Sequence, residues 1–344
     1  MAETNQTEVY VYEQVVILTS CVLSFFGSLL IICTYAKWHD LRTTPRKLLM
    51  YLSVTDLLSA LSYFYGVLRI FDSDSADCIA QGAISTFANT SSFFWTVAIA
   101  IYLYVFIVKS SQRQADNLVL YFHLISWGVP FAITVAALSL HKIGYDASEV
   151  SVGWCWVNIQ AKDHVLWMLL TGKIWEFIAY VTLPVLYILI KIHIHNHAAL
   201  SEYRPILTSS PVSHSLSSMA DRKLTLIPII FIMLRMWSTI RFLLLLTNSP
   251  AGHNPVLVTL HVIIYLYLPL LHSGIGNTFQ GAANCIMFVL LTPSIRSRLL
   301  ALLCCRGQDR HWHTDSVSQN RASAHTPSCR EENTNPQTWE NSEG

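Results

Sequence analysis

The sequence predicts an all-α membrane protein, a bundle of seven transmembrane helices with its N-terminus outside the cell. Three observations carry this: seven apolar runs of spanning length, loops whose positive charge falls on alternate sides, and a composition that leaves little over. The runs lie at 14–36, 48–71, 78–109, 118–140, 165–190, 224–247 and 256–291. Each reaches the ~20 residues a helix needs to cross ~30 Å of hydrocarbon. Transmembrane strands would read as alternating segments of ~10 residues. Lipid offers no partner for unpaired backbone, so continuous apolar runs close their hydrogen bonds internally as helices.

Orientation follows from charge. Thirteen Lys and Arg residues, among them Lys109, Lys191, Arg222 and Lys223, fall in the loops after spans one, three and five and at the start of the tail. The opposite loops contain Lys142 and Lys162. This positive-inside bias places the C-terminus in the cytosol. Residues 1–13 read as an extracellular leader with three Glu and no Lys or Arg, which makes the first run an uncleaved anchor rather than a signal peptide. With 344 residues, 53% apolar and 12% charged, there is room for one bundle at 14–291 and no second globular domain of ordinary size. The net charge of +1 gives no nucleic-acid footprint. Residues 307–344, rich in polar residues and nearly free of aliphatic ones, read as a disordered cytosolic tail.

Cys78 opens the third span at its outer end and Cys155 sits in the second outer loop, both on the oxidising side. A disulfide between them is expected to pin that loop over the mouth of the bundle. Cys21, Cys33 and Cys285 lie within spans and read as small buried hydrophobes. Residues 292–306 read as a basic interfacial helix in contact with membrane lipid, ending in Cys304 and Cys305 as a palmitoylation site. Asn5 heads the sequon Asn5-Gln6-Thr7 and is the expected glycan site. The second match, Asn89-Thr90-Ser91, lies within a span, out of reach of glycosylation.

Polar residues inside the spans form two stripes. Ser85, Asn89, Ser92 and Thr96 recur at spacings of four, three and four on one face of span three. Ser273, Asn277, Gln280 and Asn284 do the same in span seven. Facing lipid would be costly, so the stripes are expected to face each other or a wet cavity, as interhelical bonds or as a ligand cavity or activation network. The ionisable residues in the spans are Asp56, Lys173, Glu176, Arg235 and Arg241, each a functional candidate. Lys173 and Glu176, three apart, either pair with each other or serve a pocket. Arg235 near mid-membrane needs an internal acidic or amide partner, and Asp56, the membrane-buried acid of the cytosolic half, is a candidate link. These residues divide into pocket candidates (Asn89, Trp156, Lys173, Glu176, Arg241) and network candidates (Asp56, Pro228, Arg235, Asn277, Gln280, Asn284). Pro228, early in span six, removes a backbone bond and offers a kink.

Several local patterns resemble one group of receptors. Trp127-Gly128-Val129-Pro130 is similar to the Gly-Trp-Gly-x-Pro signature of secretin-like and adhesion receptors. Cys155-Trp156 resembles their outer-loop Cys-Trp pair, and 222–228 resembles their Lys-x-x-Leu-x-Leu-Ile-Pro element. Phe279-Gln280-Gly281 and Asn284 through Phe288 look like the Phe-Gln-Gly element and the half-helix after it. The run from Phe93-Phe94-Trp95 to Tyr102-Leu103-Tyr104 is also similar to the slime-mould cyclic-AMP receptors. The resemblance covers about residues 10–305 and implies a G-protein-coupled receptor of the plasma membrane. It further implies a heterotrimeric G protein partner met by Lys109, Lys191, Arg222 and Lys223, an extracellular ligand of unknown identity, and no cofactor.

The sequence departs from the group in three places. A 13-residue leader is too short to act as a hormone-capturing ectodomain, and Phe231 stands where the span-six Pro-x-x-Gly pattern places glycine. The last apolar run of 36 residues would make ~54 Å of helix. Two crossings would put Arg296 and Arg298 outside, so one crossing from near His272 is expected, with an apolar loop or helix extension before it. Other functions fit less well. A membrane hydrolase would need a metal cluster that the scattered His193, His195, His197, His261 and His272 do not supply. A retinal pigment would need a lysine in span seven. A seven-helix transporter or channel is the remaining alternative, although no inverted repeat is evident.

Overall fold

The computed structural model describes residues 11–69, 71, 75–145, 154–158, 160–202, 230–232, 234–236, 239, 242, 243, 246, 278–293 and 295–302. Among the described residues, five helical stretches are long and apolar enough to cross a membrane: Gln14–Lys37, Thr44–Leu68, Ala76–Val108, Gln112–Ser139 and His164–Asn196. They correspond to the first five predicted spans. We label the helices α1 (Val11–Lys37), α2 (Thr44–Leu68), α3 (Ala76–Val108), α4 (Gln112–Asn117), α5 (Val119–Ser139), α6 (His164–Met168), α7 (Ile174–Glu202) and α8 (Gln280–Cys285). Parts of the sixth predicted span and the inner part of the seventh are also helical. Asn5, Arg204, Arg222, Lys223, Pro228, Arg241, Asn277, Cys304, Cys305, the stretch 256–277 and the tail 307–344 lie outside the described residues.

Local chemistry sets the helix ends. Pro45 sits in the first turn of α2, where a missing N–H costs nothing. The Ser75 hydroxyl accepts the Cys78 N–H to cap α3, and Ser111 caps α4 through the Gln114 N–H. Ser110, at φ 49°, makes the left-handed turn between α3 and α4. Polar turns move two boundaries beyond the apolar runs: the fourth span starts at Gln112, and α7 continues to Glu202. Arg69, read inside span two, lies just past the end of α2, where it pairs with Asp77 at 3.2 Å. It therefore adds a third cation to the outer side. Cys33 faces outward on α1, whereas Cys21 and Cys285 are buried, so the buried reading fails for Cys33 alone of the three.

At 33 residues, or about 50 Å, α3 is the axis of the bundle. It touches α2, α4, α5, α7 and the outer loop, while α1 packs on α2 and α8. The α1–α8 contact is close. A Cβ on Gly281 would collide with the Ser24 and Ser28 hydroxyls, and one on Gly27 would lie 2.9 Å from the Gly281 carbonyl oxygen. Leu120, Phe131, Val181 and Ile188 are among the large apolar side chains left on the outside, as lipid-facing surfaces require.

The second outer loop adds a two-stranded antiparallel hairpin, β1 (Ile143–Tyr145) with β2 (Cys155–Val157), in the register Gly144 opposite Trp156. Cys78 and Cys155 form a disulfide that ties it to α3. The Cys155 N–H also donates to Gln81 Oε1 at 2.8 Å. Gly82 lets the hairpin lie on α3, since a Cβ there would sit 2.6 Å from Ile143. Strands of three residues give too short a pattern to read in advance. Beside the hairpin, Lys142 Nζ pairs with Asp163 Oδ1 at 2.5 Å, and Trp167 Nε1 donates to Asp163 Oδ2. These donors, Lys142 foremost, hold the Asp163 carboxyl below its ordinary value.

Residues 295–302 are helical within the predicted interfacial segment.

Candidate functional site

Beneath the hairpin lies a cavity of about 50 Å³ lined by residues of α2, α3, the outer loop, the start of the fifth span and span six. A single water needs ~10–15 Å³ on this measure, so the cavity admits a small chemical group. Asn89, Trp156, Lys173 and Glu176 all line it, as does Arg235. The segment Leu169–Lys173 has π-helical geometry, which widens the helix where Gly172 and Lys173 meet the cavity. The carbonyl freed at Thr171 accepts the Thr90 hydroxyl at 2.8 Å.

Lys173 and Glu176 form a buried ion pair at 2.9 Å. Glu176 accepts further bonds from Tyr180 at 2.7 Å and from the Thr239 hydroxyl. A carboxylate so fully paired is tolerated away from water. Tyr180 lies four residues after Glu176 and Thr239 four after Arg235, so helical spacing from the two charged residues is the signal in the sequence that places both in the site.

Arg235 is only 3% exposed. Its guanidinium carbon lies 4.3 Å from the centroid of the Phe93 ring and 5.1 Å from that of Phe231, a cation–π seat at the position where glycine was expected. Its Nε and Nη2 both donate to Gln280 Oε1, at 3.2 and 3.1 Å, and Nη2 donates to Asn89 Oδ1 at 3.3 Å. No carboxylate among the described residues comes within 4 Å of it. The bonds then run inward. Gln280 Nε2 donates to Ser92 Oγ at 3.1 Å, Ser92 Oγ donates to Asp56 Oδ1 at 3.3 Å, and Asn284 Nδ2 donates to Asp56 Oδ2 at 3.0 Å. Arg235 and Asp56 are thus joined by hydrogen bonds through Gln280 and Ser92 rather than as an ion pair. Asn89 also donates to the Tyr63 hydroxyl at 2.6 Å. The structure brings together Asp56, Asn89, Ser92, Arg235, Gln280 and Asn284. Ser85 and Thr96, of the same stripe, bond to backbone carbonyls of α3.

Lys109 ends α3, and Lys191 lies on the cytosolic part of α7 over the Tyr187 ring.

Residues 10–248 match the family described as 7 transmembrane receptor (Secretin family). The chain belongs to this family. Over 302 residues it is 60% identical to G-protein coupled receptor 157 of Mus musculus, an overlap of 87% of this chain and 88% of that protein. The Homo sapiens protein of the same name is 60% identical over 298 residues, 86% of this chain and 85% of its own length. Cyclic AMP receptor-like protein A of Dictyostelium discoideum is 28% identical over 139 residues, 40% of this chain and 35% of that one. The receptor is therefore a seven-helix, multi-pass protein of the plasma membrane that couples to heterotrimeric G proteins, and the transporter reading is not favoured.

Proposed function

We propose that the cavity under the hairpin is the agonist site and that Arg235 passes its occupancy to the cytosolic half of the receptor. One observation carries the reading: Arg235 is both a wall of the cavity and the head of the bonded chain through Gln280, Ser92, Asp56 and Asn284. The chain as bonded here is the resting arrangement in this proposal. An agonist that takes the Arg235 N–H groups withdraws them from Gln280, and the unequal bonding of that amide favours a second packing. The agonist shifts the balance only by its differential affinity for the two.

In the same reading Pro228 supplies the hinge of span six, Asn277 extends the network and Arg241 the pocket. Lys109, Lys191, Arg222 and Lys223 meet the G protein. Asn5 carries a glycan, and Cys304 and Cys305 carry palmitate that holds the interfacial segment to lipid. We read the chain as a signal transducer and not an enzyme, in keeping with the receptor names of its relatives.

The test is a panel of second-messenger readouts on cells expressing wild type or Asn284→Ala without added ligand, normalised to surface receptor. A changed output per receptor supports the network. Unchanged specific output with a lower surface level would overturn it and leave Asn284 as a structural contact.

A further inference from the structure

Among the described residues that line the cavity, the charges do not balance. Lys173 and Glu176 neutralise each other at 2.9 Å, which leaves Arg235 as a surplus positive charge in the lining. Its bonds go to the neutral amide oxygens of Gln280 and Asn89. Asp56, the other buried acid among the described residues, is outside the lining and acts on Arg235 only as a charge at a distance, not as an ion-pair partner. A guanidinium in a site of low dielectric and without a carboxylate is suited to bidentate pairing with an anion.

Two hydroxyls point to the same chemistry. Thr86 is 2% exposed, lines the cavity, and its Oγ1 has no hydrogen-bond partner among the described residues. Tyr63, also in the lining, accepts the Asn89 N–H, and its own proton reaches no acceptor among the described residues. A buried polar group left unpaired is costly, so donors of this kind mark the place of an acceptor. Glu176, the one acidic acceptor among the described lining residues, already accepts from Lys173, Tyr180 and Thr239. A cationic ligand would find no unpaired acid among the described lining residues.

The geometry points to an agonist bearing a single carboxylate, held by Arg235 with Thr86 and Tyr63, on a body that packs against Trp154 and Trp156. One surplus charge calls for one negative charge, and about 50 Å³ suits a carboxylate head. The inference rests on the reading of the cavity as the agonist site.

The experiment uses the full-length receptor in lipid nanodiscs and three probes with one body: 3-phenylpropanoate, 3-phenylpropanamide and 3-phenylpropylamine. Dissociation constants come from the dependence of melting temperature on probe concentration. The carboxylate is expected to bind roughly tenfold or more tightly than the amide, with the amine weakest. That preference is expected to vanish in Arg235→Gln and to shrink in Thr86→Val, which is nearly isosteric. If Arg235→Gln does not fold, Arg235→Lys replaces it, and unchanged affinity in both it and Thr86→Val overturns the inference. Equal binding of carboxylate and amide, both abolished by the cavity-filling Gly172→Leu, would overturn the anion while leaving the cavity as the site. Carboxylate binding indifferent to Arg235→Gln and Gly172→Leu would overturn both, and no binding by any probe would overturn the anion.

Discussion

Gln280→Ala is the perturbation whose consequence the structure specifies most fully. The side chain is 2% exposed and makes three bonds: two accepted by Oε1 from Arg235, at 3.2 and 3.1 Å, and one donated by Nε2 to Ser92 at 3.1 Å. Alanine leaves a buried guanidinium short of an acceptor and a serine short of a donor. Bonds to a charged group are worth ~1.5–3 kcal/mol, and a second packing that already lacks some of them loses less. A net difference of about 2 kcal/mol against the resting arrangement is therefore expected, or roughly thirtyfold in the equilibrium. The assay is basal second messenger per surface receptor, in a cycle with Arg235→Gln. Output per receptor should rise about tenfold or more in Gln280→Ala while the receptor stays mostly resting, and the double variant should add little to either single one. Wild-type specific output at reduced surface level, or fully additive effects, would refute the reasoning.

Other outcomes follow from the same geometry. Cys78→Ala and Cys155→Ala should each lower surface expression equally, with the double variant no worse; closing 77 residues is worth about 4.5 kcal/mol in the chain-entropy view. Gly281→Val should reduce folded receptor on a fluorescent sizing column, at a cost of ~1–3 kcal/mol for overpacking against Ser24 and Ser28. Gly128→Ala, inside α5 with nothing within 4 Å of the new carbon, should leave the yield of folded receptor unchanged or raise it, by up to ~1 kcal/mol of helix propensity. The clamp of Asp163 on Lys142 has a carboxyl lowered from its ordinary value. Its contribution is present above that value and lost only as pH falls through the lowered one, so protease sensitivity of the outer loop should stay flat from about pH 7.5 to 5. Asp163→Asn should raise that sensitivity throughout.

The bundle was legible because its signals are local: each span is one apolar run, and orientation is a matter of which loops hold Lys and Arg. The stripe of Ser85, Asn89, Ser92 and Thr96 was legible for the same reason, since spacings of three and four fix one face of α3. Which partners those residues meet was not. The bonds Ser92–Asp56, Asn89–Arg235, Ser92–Gln280 and Asn284–Asp56 join residues 36, 146, 188 and 228 positions apart, and depend on helix register and tilt that no periodicity encodes. Tyr63 and Thr86 escaped for that reason too. The hairpin escaped because three-residue strands are held by the disulfide and by Gly82 rather than by alternation. Cys33 was misread because a small thiol is tolerated on a lipid-facing surface as well as in a core.

The central claim is that the chain from Arg235 to Asn284 sets how readily the receptor engages its G protein. The most direct measurement is nucleotide exchange on purified heterotrimeric G proteins, one class at a time, catalysed by equal amounts of folded wild-type and Gln280→Ala receptor in nanodiscs. Several-fold faster exchange by Gln280→Ala, with at least one G-protein class, is the predicted result. Equal rates for the two receptors with a G protein that wild type activates would contradict the claim.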